Sequence, residues 1–233
     1  MSRILVVNAD DFGLSGGVNR GVARAHDEGI VTSASAMVRR DAADEAAALA
    51  RERPELSVGL HLDLSEWVYQ DGEWVALYEV LAAEDREAVE AEVAAQLARF
   101  VGLFGRNPTH LDSHQHRHLD EPVTTVVVET GRRLGVPVRG CTPGVAYRGD
   151  FYGQTGKGEP LPEAITAEAL LALLASLPDG VTELGCHPAA EVDTDSTYAA
   201  ERVAELRVLC DPRIRAALDA GGIELRSFRD ALR

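Results

Sequence analysis

Four of the seven histidines of this 233-residue chain fall within nine residues, in Thr109-His110-Leu111-Asp112-Ser113-His114-Gln115-His116-Arg117-His118. Imidazole is the commonest metal ligand and the usual proton carrier near neutral pH. A solvated polar turn is the plain alternative. The apolar stretch Thr109 to Asp112, which follows the turn Arg106-Asn107-Pro108 and reads as a short buried strand, favours a site. A second group, Asn8-Ala9-Asp10-Asp11-Phe12-Gly13, directly follows the apolar run Ile4 to Val7. Adjacent carboxylates repel unless a cation or a shared proton relieves them, although Asp is also common in capping turns. Single groups end three further strand-like stretches: His61, Arg139 and His187. A lone histidine at a strand end is more often structural, and His61 gains weight only by sharing this kind of position with the other groups.

One carboxylate and two imidazoles can hold a divalent ion while leaving positions open. Mixed nitrogen and oxygen ligation suits Zn²⁺, and Mg²⁺ or Mn²⁺ fits if water fills the rest. Such an ion polarises a carbonyl and acidifies water. A second carboxylate can then take the proton, and a histidine on the opposite side can protonate a leaving group. On an extended segment Asp10 and Asp11 would point different ways, one toward an ion and the other toward water.

The elements that must position these groups follow from apolar patterning. Seven strands are expected: Ile4–Val7, Val31–Met37, Leu56–Leu62, Thr109–Asp112, Val136–Arg139, Val181–Cys186 and Ile223–Leu225. Helices are expected between them. One starts at Ser15 and runs through Val18, Val22 and Ala25, and others cover Ala42–Arg51, Arg86–Phe100, Pro122–Leu134, Thr166–Leu177, Tyr198–Leu209 and Pro212–Ala220. Ser227 would cap a short terminal helix. Strands alternating with helices point to a single-domain distorted (β/α) barrel of about seven parallel strands, or, failing closure, a doubly wound sheet. In a barrel the reactive groups at strand ends would converge on the carboxyl face. Two excursions interrupt the pattern, at 63–85 and 141–163. The first is expected as a loop from Asp63 to Glu79 carrying Trp67, Tyr69, Trp74 and Tyr78, which either stack on sugar rings or pack on themselves.

Composition narrows the partners. The formal net charge of −15 argues against nucleic acid or an anionic membrane, and 45% hydrophobic residues allow a sizeable core. The acid is spread over helical stretches such as Glu84 to Glu92, read as solvated faces. No apolar run approaches a membrane span, and Met1-Ser2-Arg3 leads straight into a strand rather than a signal peptide. Cys141, Cys186 and Cys210 are odd in number and widely spaced, which suggests a reducing compartment, a cytoplasmic location and no disulfide framework.

Four motifs together resemble the YdjC/ChbG family of carbohydrate deacetylases, which is NodB-like. They are Val7-Asn8-Ala9-Asp10-Asp11-Phe12-Gly13-Leu14-Ser15, Gly59-Leu60-His61, the histidine-rich run from Thr109 to His118, and Glu183-Leu184-Gly185-Cys186-His187-Pro188. The first and third are specific. The resemblance implies a distorted (β/α) barrel that removes acetyl from N-acetylated sugars with one divalent metal ion, Mg²⁺ or Zn²⁺. By position it implies Asp11, His61 and His114 as metal ligands, Asp10 as base, His187 as acid and Arg139 as the group that keeps Asp10 ionised. Asp112 is placed to orient a ligand imidazole, and His110 to point toward the core or behind the ligands. The partner implied is a small N-acetylated sugar, and a homodimer is allowed. The chain and its loop before the long helix are shorter than the family pattern, and Ala189 stands where a glycine often follows His-Pro, so the exact sugar is open.

Three other readings compete. Gly13-Leu14-Ser15-Gly16-Gly17 matches the G-x-S-x-G of serine hydrolases, but the Asp pair and Phe12 separate Ser15 from the strand, and a helix cap explains it better. A metal-dependent phosphoesterase or another amidohydrolase on a TIM-like barrel would want more metals and carboxylates. A sugar-binding module without catalysis would use only the aromatic loop.

Overall fold

The apolar run Ile4 to Val7 forms the centre of the molecule. It belongs to a ten-residue strand, β1 (Arg3–Phe12), which is buried from Leu5 onward. The computed structural model describes residues 2–82, 85–194 and 196–232, so Met1 and Glu84, both named above, and Ala83 of the first excursion lie outside the described residues. Eight further strands are β2 (Ser33–Ala36), β3 (Ser57–Leu62), β4 (Ser65–Gln70), β5 (Glu73–Glu79), β6 (Leu111–Ser113), β7 (Val145–Arg148), β8 (Gly180–Cys186) and β9 (Ile223–Leu225). The helices are α1 (Gly16–Asp27), α2 (Ala43–Arg51), α3 (Arg86–Phe104), α4 (Val123–Leu134), α5 (Ala167–Ala175), α6 (Ala200–Leu209), α7 (Pro212–Gly221) and α8 (Phe228–Ala231).

Seven strands build one parallel sheet in the order β6-β3-β2-β1-β8-β7, with β9 also on β1. One edge of β1 pairs with β8 from Arg3 to Ala9. The other edge is divided between β9 at Arg3–Leu5 and β2 at Asn8–Phe12. The sheet curls into an open (β/α) barrel. Its helices bury apolar stripes against it, as Val18, Val22 and Ala25 of α1 do. Helix starts are capped as their sequences direct: Ser15 accepts from the Val18 N–H and Thr166 from the Ala169 N–H.

The structure revises the expected strands in two places. Val136–Arg139 is not a strand. Only a bridge between Leu111 and Val138 remains, because Pro137 has no N–H to donate and Gly140, at φ 67°, turns the chain away. The barrel position next to β8 is taken instead by β7, from within the second excursion. The expected loop Asp63–Glu79 is an antiparallel hairpin of β4 and β5. Asp71 and Gly72 turn it with φ of 53° and 90°, as a tight two-residue hairpin turn requires.

At Gly59, on β3, backbone and side chain approach closely. A Cβ there would lie 2.5 Å from the His110 ring, so the absence of a side chain lets that histidine lie flat on the sheet. Among the described residues, no helix is long and apolar enough to cross a membrane.

Candidate metal centre and active site

Asp10 and Asp11 lie inside β1, not beyond it. A regular strand would send their side chains to opposite faces. Here the pairing register with β2 shifts between Ala9 and Phe12, and Asp11 takes a left-handed φ of 65°. This bulge, which costs about 1 kcal/mol for a non-glycine residue, brings both carboxylates to the same barrel mouth. The expected extended segment is thus replaced by a kink.

The Asp11 carboxylate serves two sides. Its Oδ1 is 3.3 Å from His61 Nε2 and 3.1 Å from His114 Nδ1. Its Oδ2 accepts a 2.6 Å hydrogen bond from Arg202. Burial opposes ionisation of Asp11, but Arg202 and His114 hold its pKa well below the usual carboxylate value. His61 Nδ1 lies 2.7 Å from Asp112 Oδ1. An ionised carboxylate only accepts, so Nδ1 donates to Asp112, and Nε2, facing Asp11 Oδ1, offers a lone pair only where a cation takes the place of its proton. Asp112 is fully buried, and its Oδ2 accepts from Ser35 and Arg139. Burial works against the charged form of His61, yet Asp112 and Asp10 outweigh it and raise its pKa to about 10.

These residues fit a divalent ion. One ligand atom from each of Asp11, His61 and His114 lies within 4.8 Å of the others. Two ligands each about 2.1 Å from one ion, at octahedral to tetrahedral angles, stand about 3.0–3.4 Å apart, and the two distances from Asp11 Oδ1 fall in that range. Among the described residues, none forms a hydrogen bond with the buried His114 Nε2.

Asp10 sits beside this cluster and is held by Arg139, whose two terminal nitrogens donate to its two oxygens at 2.6 and 2.7 Å. The same guanidinium donates to Asp112 at 2.9 Å and through Nε to Glu183 at 2.7 Å. Burial raises the Asp10 pKa and Arg139 with His61 more than reverses this, so the group stays ionised. Glu183, which accepts from Arg139 Nε, is pushed by burial up to about 7.

His187, just past β8, faces Asp10 with Nε2 3.8 Å from Asp10 Oδ2. On its other side Nδ1 is 3.8 Å from Glu205 Oε1, and its backbone N–H donates to Glu205 Oε2 at 2.5 Å. The rings of Tyr152 and Tyr198 stand edge-on to it. Burial lowers the His187 pKa to about 4, against the pull of Asp10 and Asp11, and raises that of Glu205 to about 8.

All six site residues expected from the sequence, Asp10, Asp11, His61, His114, Arg139 and His187, therefore meet at one end of the sheet. The other histidines do not join the cluster of three. His110 is buried against Phe228 with Nε2 2.9 Å from Ser35 Oγ. His118 is tied to Ser113 and the Arg139 carbonyl. His116, at φ 56°, lines the cleft beside Tyr147. Ser15 bonds to Val18 and Asp193, as a helix cap does and a nucleophile paired with histidine does not.

Sequence reasoning missed Arg202 and Glu205. The signal was there: on α6 the buried residues Arg202, Glu205, Leu206 and Leu209 form one helical stripe, and two charges inside an apolar stripe are rarely idle. The site opens into a cleft of about 770 Å³, lined by the β4–β5 hairpin on one side and by residues 149–158 on the other.

A family model described as YdjC-like protein matches residues 4–220. A carbohydrate deacetylase of Geobacillus stearothermophilus is 37% identical over 251 residues, covering 99% of this chain and 98% of that one. A chitooligosaccharide deacetylase of Klebsiella pneumoniae (strain 342) is 35% identical over 267 residues, covering 99% and 100%. A crystal structure from Enterococcus faecalis V583, provisionally named for cellobiose-phosphate cleavage, superposes with a TM-score of 0.78 at 26% identity and covers 98% of each chain.

Proposed function

The chain belongs to the YdjC-like protein family, and from that premise we propose that it is a metal-dependent carbohydrate deacetylase, hydrolysing the N-acetyl group of an amino sugar or short oligosaccharide. The observation that carries this reading is the convergence of Asp11, His61 and His114 on one point, with an ionised Asp10 that is not part of that trio beside it. Two relatives that match nearly the whole chain, a carbohydrate deacetylase and a chitooligosaccharide deacetylase, support it.

Asp11, His61 and His114 would hold the ion, and two imidazoles with one carboxylate suit Zn²⁺ better than Mg²⁺, which prefers oxygen throughout. When bound, the ion polarises the acetamide carbonyl and acidifies the attacking water. Asp10 takes a proton from that water as its oxygen bonds to the carbonyl carbon. Arg139 keeps Asp10 ionised and aimed, because both Asp10 oxygens are fixed in its fork. As the C–N bond breaks, the departing nitrogen needs a proton, and His187 supplies it. Its low pKa leaves it neutral at rest, so that proton reaches it during turnover. Asp10 Oδ2, 3.8 Å from Nε2, is the nearest group to have just gained one. Acetate and a free amine leave.

The test is acetate release from a panel of N-acetyl sugars with and without chelator, together with the metal content of two variants. Asp10→Asn keeps the metal and loses about 10²–10⁴ in turnover, the usual worth of a general base. His114→Ala loses the metal. Equal metal loss in both variants would refute this division of labour.

A further inference from the structure

The reaction leaves Arg202 without a task. It lies on the buried stripe of α6 and is 3% exposed. Its backbone carbonyl accepts from the Ala189 N–H, which ties the helix to the segment just past His187. Its side chain is placed quite differently from that of Arg139, which cross-links Asp10, Asp112 and Glu183. Arg202 donates through Nη2 to Asp11 Oδ2 at 2.6 Å, while its buried Nε and Nη1 hydrogen-bond to none of the described residues. Glu205, about one turn further along α6, is engaged by Tyr198 and by the His187 N–H instead. A guanidinium buried on a single carboxylate, with donors left over, is a costly structural link. Its effect is therefore to be sought at Asp11.

Asp11 presents Oδ1 to His61 and His114 and Oδ2 to Arg202. The bulge in β1 already fixes where this carboxylate stands, so the arginine is not needed to bring it to the barrel mouth. It does decide how many oxygens face the two imidazoles. A carboxylate can give an ion one oxygen or both, and Oδ2 is taken. The arginine's charge also acts on whatever stands at Oδ1. A cation there is repelled across the carboxylate. The carboxylate also gives up less electron density, because its charge is shared with the guanidinium. Buried charges are screened little by salt, so both effects persist in solution. Both make an ion bind less tightly, and both make it draw electrons more strongly from an acetamide carbonyl and from water.

We infer that Arg202 is a positioning residue that acts through Asp11: it restricts Asp11 to a single oxygen toward the ion and, by its charge, lowers the affinity of the centre in favour of a more strongly polarising ion. The inference rests on the proposed metal centre of Asp11, His61 and His114.

Full-length protein, stripped of metal, is titrated with Zn²⁺ in competition with a chromophoric chelator, and separately with Co²⁺, whose visible absorption weakens as its coordination number rises. Arg202→Met frees Oδ2 and removes the charge. It binds Zn²⁺ about tenfold or more tightly than wild type, within the range over which a group behind a metal ligand moves affinity. Its Co²⁺ absorption is weaker, as a second Asp11 oxygen joins the ion. At full Zn²⁺ occupancy its kcat for acetate release falls. Arg202→Gln, also uncharged, gains Zn²⁺ affinity too and serves if the methionine variant fails to fold. Arg202→Lys keeps the charge and stays close to wild type, which a merely structural role of the guanidinium does not predict. Unchanged or weaker Zn²⁺ affinity in the methionine and glutamine variants, or an unaltered Co²⁺ absorption in the methionine variant, overturns the inference. If wild type binds neither ion, the metal centre and the inference fall together. If the variants behave as expected while wild type releases no acetate from any N-acetyl sugar, the deacetylase reading falls and the role of Arg202 stands.

Discussion

Replacing Arg139 by Met tests how the buried charges of the site are held together. The guanidinium touches Asp10, Asp112 and Glu183 at 2.6–2.9 Å, and all four residues are buried. Met matches the aliphatic part of the side chain but leaves three carboxylates around an uncharged centre. Removing one partner of a buried ion pair costs about 3–5 kcal/mol. Protonation offsets part of this, and Glu183, already near 7, takes a proton first. Asp10 loses the Arg139 field that keeps its pKa low, so its pKa rises. A base that is protonated at the working pH is idle, and each unit of rise removes about tenfold of activity on the acid side. The expected result is an acid limb of kcat/KM displaced to higher pH, with activity recovering as pH rises. Metal content stays unchanged, because Asp11, His61 and His114 do not touch Arg139. Urea unfolding should show the stability loss at pH 7 and a smaller loss near pH 4, where the carboxylates released from Arg139 take up protons in the variant. Acetate release measured from pH 5 to 9 reads the limb. A variant that is less stable yet keeps the wild-type pH limb would refute the reasoning, since Arg139 would then be structural and Asp10 not the base it governs.

Glu205→Gln should change how stability depends on pH. The pKa of Glu205 is raised by burial from 4.5 to about 8, so its protonated form stabilises the fold fully below about pH 4.5, and this is lost as pH rises through 8. Relative to the glutamine variant, wild type loses stability across that window by at most about 1.4 kcal/mol per pH unit. Urea unfolding at pH 5, 6.5 and 8 checks this, and a constant difference would exclude it. Gly59→Ala drives a methyl into the His110 ring and should cost about 1–3 kcal/mol by overpacking. A smaller cost when His110 is also shortened to Ser, read from the same unfolding curves, would identify that contact as the cause.

Which residues would meet was legible from local patterning. Ile4 to Val7, Leu56 to Leu62 and Val181 to Cys186 announce buried strands because their apolar residues are continuous, and parallel strands in a barrel carry their ends to one face. That rule alone brought Asp10, Asp11, His61, His114 and His187 together. The hairpin was also written in the chain, as Asp71-Gly72 between Trp67, Tyr69 and Trp74. Apolar patterning hides it, because apolar residues stand on its exposed side: Val75 and Leu77 are 44% and 58% exposed. The strand expected at Val136–Arg139 failed on Pro137, whose missing donor outweighs the apolar character of its neighbours.

What the sequence determined by itself is the set of elements and the end of the sheet where chemistry gathers, since both follow from periodicity and strand polarity over a few residues. Tertiary structure decided how the charges are shared. The bulge that turns Asp10 and Asp11 to one side lies where the β8 pairing has ended at Ala9 and the register on β2 shifts before Phe12. The arginine that takes the outer oxygen of Asp11 comes from 191 residues away. Coulombic and hydrogen-bond partners act through space over a few ångströms, and spacing along the chain carries no record of such distances until the barrel has folded.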